Sequence, residues 1–147
     1  MIKSILVVCV GNICRSPVGE RSLKSRLPDM KLQSAGIGAL VGHPADEVAA
    51  GIAAQGGVSL VGHVAQQFTV EMANAHDLIL VMETGHRNEI VRKAPHLSGK
   101  IMLFDHWSGG AGIADPFRKA PGFHQEVFEQ IIRAAEAWAE RLNGNAQ

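Results

Sequence analysis

The chain has no tyrosine, only two cysteines, no surplus of charge of either sign and no long apolar run. Each shortage excludes something. Without tyrosine, the chain cannot be regulated by phosphorylation on its own tyrosines. Two cysteines, Cys9 and Cys14, are too few for a disulfide framework or a four-cysteine zinc site. Fourteen basic and fourteen acidic residues cancel, which argues against a broad nucleic-acid or anionic-membrane footprint. No apolar stretch approaches the roughly eighteen residues of a membrane span. Met1-Ile2-Lys3-Ser4 runs straight into an apolar segment, leaving no room for a signal peptide. The expectation is a cytoplasmic protein with no nucleic-acid partner and no stable membrane insertion. The seven histidines form no H-E-x-x-H pattern, so neither a metal site nor a cofactor is expected. At 147 residues, the chain suits one domain spanning 1–147.

What is present is concentrated near the start. The apolar run Ile5 to Val8 leads into Cys9-Val10-Gly11-Asn12-Ile13-Cys14-Arg15-Ser16-Pro17. A loop joining a strand to a helix N-terminus turns unpaired backbone N–H groups inward, and these bind a phosphate dianion together with the helix dipole. Gly11 and Asn12 suit left-handed turn conformations. Ser16 reads as the N-cap and Pro17 as the first helical residue. A cysteine in such a field ionises easily, its pKa falling from roughly 8.5 into the range of about 3.5–7.5. Arg15 supplies a planar fork for two phosphate oxygens, and the Ser16 hydroxyl is near enough in sequence to donate to Cys9.

This segment resembles the C-x5-R-S signature of the low-molecular-weight protein tyrosine phosphatases, most closely the bacterial capsule and exopolysaccharide type. The likeness continues through Ser34-Ala35-Gly36, residues 38–42, 77–83 and 99–104, His106-Trp107 and Asp115-Pro116. It implies a cysteinyl-phosphate path in which Cys9 is the nucleophile, Arg15 binds phosphate and Asp115 is the general acid and then base. Val10, Gly11, Asn12, Ile13, Cys14 and Ser16 would bind the substrate phosphate. Leu40 and Phe117, with Ile13 and Trp107, would wall the substrate ring, Leu40 and Val41 standing where eukaryotic-like members place an aromatic. Cys14 would pair reversibly with Cys9 under oxidation. Val64 and Gln66 flank His63 where the family often has arginines. The implied partner is a tyrosine-phosphorylated protein, specifically a membrane tyrosine autokinase of polysaccharide export. An arsenate reductase of the same fold, a cysteine phosphocarrier and a non-catalytic phosphotyrosine-binding module are the alternatives. The first lacks further cysteines here, and neither of the others requires the full set of Cys9, Arg15 and Asp115.

The remainder reads as scaffold. Lys3 to Val10, Lys31 to Ser34, Leu78 to Met82 and Lys100 to Phe104 are expected strands. Pro17 to Arg26, Asp46 to Gln55, Thr69 to Ala75 and Thr84 to Lys93 are expected helices. Phe123, Val127, Ile131, Ala135, Trp138 and Leu142 recur at helical spacing, marking a long terminal helix. Alternating strands and helices predict an α/β, doubly wound, four-stranded parallel sheet with helices on both faces. The glycines around 36–42 and 108–112 are expected to form the pocket rim.

Overall fold

A computed structural model describes residues 1–144. The apolar runs form one parallel sheet of β1 (Ser4–Cys9), β2 (Lys31–Gly36), β3 (Leu78–Val81) and β4 (Ile101–Leu103), ordered β2-β1-β3-β4. The helices are α1 (Arg15–Arg26), α2 (Glu47–Gln55), α3 (Val70–Asn74), α4 (Thr84–Lys93) and α5 (Pro121–Gly144). A 3₁₀ helix over Pro95–Lys100, absent from the sequence expectation, leads into β4.

Successive strand side chains point to opposite faces, and β1 divides its residues accordingly. Ile5, Val7 and Cys9 join a core containing Leu23 of α1 and Val127, Ile131 and Trp138 of α5. Leu6 and Val8 join a second core with Ala73 of α3 and Ile90 of α4. Burial on both faces is why the strand carries an unbroken apolar run. The terminal helix docks along the expected stripe, and Trp138 Nε1 fastens it by donating to the Phe104 carbonyl at 2.7 Å.

Several boundaries differ from the sequence reading, each for a local reason. β1 stops at Cys9 because Val10 already belongs to the turn, whereas β2 continues to Gly36 because Ala35 and Gly36 still pair with Val8 and Cys9. Asp46 and Thr69 are caps, their side chains accepting from the amides of Ala49 and Met72. Helix α1 begins at Arg15, with Cys14 as its N-cap and no side-chain capping bond. Ser16 therefore is not the N-cap and Pro17 is not the first helical residue. Pro17 is tolerated in the first turn because an amide there has no intrahelical acceptor to lose.

Strand β1 sits between β2 and β3, so chain crossovers leave in opposite directions and open a crevice at the carboxyl ends of β1 and β3. Cys9 ends β1, and Glu83 lies just beyond β3. Gly36 makes the turn after β1 possible. A Cβ at that position would strike the Val10 carbonyl oxygen and stand 3.0 Å from the Asn12 amide nitrogen.

Candidate active site

Every carbonyl from Cys9 to Ile13 has a partner outside the turn. The amides of Ile37, Gly38 and Leu40 donate to the oxygens of Cys9, Val10 and Gly11 at 3.0, 3.0 and 3.1 Å. His63 Nε2 donates to the Asn12 oxygen at 2.6 Å, and the Asp46 amide to the Ile13 oxygen at 2.9 Å. Across a planar trans peptide the carbonyl and the following N–H point opposite ways. Fixing these oxygens outward turns the amides of Val10, Gly11, Asn12, Ile13 and Cys14 toward the other side. Among the described residues, none of those amides donates to a protein acceptor. With the N-terminus of α1 beside them, they form an anion nest. Asn12, at φ 59°, takes the left-handed conformation that the turn needs, but Gly11, expected to share it, does not.

Behind the nest runs a directed chain of hydrogen bonds. The Asn12 side-chain nitrogen Nδ2, which only donates, bonds Ser16 Oγ at 2.7 Å and Ser34 Oγ at 3.0 Å. Ser34 donates onward to Glu20 Oε1 at 2.7 Å. Ser16 Oγ accepts from Asn12 and lies 2.9 Å from Cys9 Sγ, with a hydrogen free to turn toward the sulfur. Asn12 Oδ1 accepts from the Gln66 amide at 2.9 Å. Asn12 and Ser16 are fully buried, so their side chains shape the loop from behind rather than line the pocket. Cys14 differs from Cys9: burial first, and then the charges of Asp46, Asp115 and Cys9, push its thiol far above the ordinary range, with Arg15 opposing them. Cys14 therefore stays a protonated thiol.

Arg15 is 1% exposed. Its Nη1 donates to Glu83 Oε2 at 2.6 Å and to the Ile113 carbonyl at 2.7 Å, and its Nη2 lies 3.8 Å from Asp115 Oδ2. Asp115 accepts from the Phe117 amide at 3.0 Å. Cys9, Val10, Gly11, Ile13, Cys14, Arg15, Leu40, Asp115 and Phe117 come together around one pocket of about 180 Å³, with Gly38 at its edge. Trp107 does not reach it. That ring packs against His106, Trp138 and the Arg141 guanidinium instead. Nor do the glycines at 108–112 form the rim, though Gly112, held by Asp105 Oδ2 at 3.0 Å, precedes the carbonyl that anchors Arg15.

Sequence reasoning gave no role to Glu83, Ser34 or Glu20, and none to His63 as a loop support. Glu83 carried one usable signal, an acid at the carboxyl end of a wholly apolar strand. His86 backs it, with Nε2 3.4 Å from Glu83 Oε2. Burial and then the nearby Arg15 charge lower the His86 pKa, keeping the ring neutral. Among the described residues, no three His, Cys, Asp or Glu side chains are grouped so as to hold a metal ion, and no helix is long and apolar enough to cross a membrane.

A cysteine on the floor of an anion nest, at the switch point of a parallel α/β sheet, defines a class of phosphate-handling enzymes. Comparison with known proteins narrows it. The model of the low molecular weight phosphotyrosine protein phosphatases matches residues 4–147. The Escherichia coli strain K12 low molecular weight protein-tyrosine-phosphatase Etp is 51% identical over 140 residues, 95% of each chain. The crystal structure of the Erwinia amylovora tyrosine phosphatase AmsI superposes with a TM-score of 0.93 at 50% identity, covering 96% of this chain and 93% of that one. The Wzb tyrosine phosphatase of E. coli K30, solved with sulphate, gives 0.95 at 48% identity, covering 97% and 99%. The chain belongs to the low-molecular-weight phosphotyrosine protein phosphatase family, and it is an enzyme. These relatives do not favour the arsenate reductase alternative.

Proposed function

We propose that the protein hydrolyses phosphotyrosine in proteins through a phosphate ester of Cys9. The Cys9 thiolate attacks phosphorus, the P–O bond to the phenol breaks, and Asp115 gives its proton to the departing oxygen. The five loop amides and Arg15 hold the non-bridging oxygens as charge builds on them. Asp115, now a carboxylate, takes a proton from water, whose oxygen attacks phosphorus and releases inorganic phosphate and the thiolate. Cys9 rather than Cys14 is the nucleophile because burial keeps Cys14 protonated. Leu40, Ile13 and Phe117 offer an apolar wall to the ring. The observation that carries this reading is the outward fixing of the five carbonyls from Cys9 to Ile13, which leaves five amides free beside a sulfur 2.9 Å from the Ser16 hydroxyl.

Residues 1–147 are read as a single domain of this family, acting in the cytoplasm. The kinship with Wzb and AmsI supports a finer proposal, that the substrate is a membrane tyrosine autokinase governing capsule or exopolysaccharide export. The test is phosphate release from a phosphotyrosyl and a phosphoseryl peptide with chelator present, comparing wild type with Cys9→Ser. Tyrosine-selective release that disappears in Cys9→Ser is expected. A well-folded wild type inactive on both peptides would instead favour a phosphocarrier or a binding module.

A further inference from the structure

Exposed apolar side chains are not scattered over this protein. Among the described residues, eight large hydrophobics are exposed, and six of them, Val10, Leu40, Val41, Val48, Val61 and Val64, belong to segments tied to the phosphate loop. Leu40 donates to Gly11, and Asp46, just ahead of Val48, donates to Ile13. Gly42 donates to Ala65 and Ala65 to His43, which ties together the segments that carry Val41 and Val64, 65% and 62% exposed. Val61, 85% exposed, stands on the next turn, where its carbonyl and that of Ser59 accept from Arg21 Nη1 at 3.1 Å. Residues 32–45 and 48–70 contain no lysine, arginine, aspartate or glutamate.

The result is an aliphatic shelf, uncharged in its own side chains, that runs out from the pocket mouth, since Val10 and Leu40 line the pocket and also begin the shelf. Exposed apolar side chains gathered on hydrogen-bonded segments around a pocket mark a contact with another molecule. We propose that the shelf binds the substrate polypeptide next to the phosphotyrosine and selects apolar side chains there. The inference rests on the proposed phosphotyrosine phosphatase function. A chain whose phosphotyrosine fills the pocket must leave over the rim, and Val10 and Leu40 are part of that rim. An aliphatic or aromatic neighbour then buries against Val41 and Val64, whereas a charged one there gives up hydration and meets no opposite charge within residues 32–45 or 59–70. Across the mouth, next to Asp115, the exposed Arg118 and Lys119 present the opposite character.

The test compares p-nitrophenyl phosphate, which fills only the pocket, with two phosphotyrosyl peptides of equal length, one flanked by leucine and valine and one by aspartate and lysine. Wild type should prefer the apolar peptide. Val41→Glu and Val64→Glu should each lower kcat/KM on it by about tenfold, mainly through KM, while p-nitrophenyl phosphate is unaffected. Equal use of the two peptides by wild type would overturn the inference, as would a preference that survives both substitutions. Sedimentation showing a wild-type dimer that Val64→Glu dissociates, with peptide preference unchanged, would assign the shelf to a second copy and likewise overturn it. Cleavage of p-nitrophenyl phosphate but of no phosphotyrosyl peptide would defeat the underlying function, and the inference with it.

Discussion

Arg15 and Asp115 lie 3.8 Å apart at their nearest atoms, yet one is 1% exposed and doubly bonded while the other has 48% of its side chain in solvent and a single backbone hydrogen bond. The contrast extends to their surroundings. The loop from Cys9 to Arg15 is held from behind by Asn12, Ser16, Ser34, His63 and Glu83, whereas the segment after Ile113 is mostly exposed. The proposed chemistry accounts for it. Amides that stabilise developing charge must converge before the substrate arrives, because reorienting dipoles during reaction costs what they supply. An acid that first serves a leaving oxygen and then a water needs access to both. Stability and function should therefore be coupled on the loop side and separable on the acid side.

Arg15→Lys should break the loop side most severely. A point charge cannot satisfy Glu83, Ile113 and phosphate together, so turnover should fall by about 10³-fold. Thermal denaturation should show a loss of about 1–3 kcal/mol, because the Ile113 carbonyl is left without its donor. Full activity in this variant would remove Arg15 from phosphate binding.

Asp115→Asn should cost about 10²-fold or more on phenyl phosphate and far less on a substrate with a highly acidic leaving group. Its melting curve should stay within about 0.5 kcal/mol of wild type, as expected for an exposed side chain. Equal losses on both substrates would contradict the acid role, and a large stability loss would erase the contrast between the two sides.

Acidity offers the smallest and most graded probe. His76 and His86 are held below their ordinary value of 6.5, chiefly by burial, and are neutral in the fold. Above that value both folded and unfolded states leave them neutral, so they contribute no pH dependence. Below it the unfolded chain binds the extra protons first, so stability should fall as pH drops from 6.5 toward the lower folded values. Because His86 supports Glu83, His86→Gln should flatten this slope in melts between pH 7 and pH 5, while Asp115→Asn should not.

Much of the frame was legible because it follows from short-range rules. A strand buried on both faces has to be continuously apolar, as Ile5 to Val8 and Leu78 to Val81 are. The C-x5-R spacing reports a strand end, a turn and a helix start in seven residues. Less was legible where one residue type can satisfy two local demands. Serine before proline caps many helices, but Ser16 is drawn into the first turn by Asn12 and Cys9. The Arg15 to Glu83 bond joins residues 68 positions apart, and only the β1–β3 pairing brings them together. Trp107 has an apolar ring suited to a pocket wall, yet it stacks under Arg141 of the terminal helix. Nothing local separates those two outcomes.

The covalent step is the central claim, and trapping it is the most direct test. Asp115→Asn enzyme would be mixed with excess p-nitrophenyl phosphate, quenched in acid, digested and mapped by mass spectrometry, beside Cys9→Ser treated identically. A single phosphoryl group on the peptide carrying Cys9, absent from Cys9→Ser, is the predicted result. A phosphoryl group on Cys14 or on a histidine, or turnover retained by Cys9→Ser, would contradict the account.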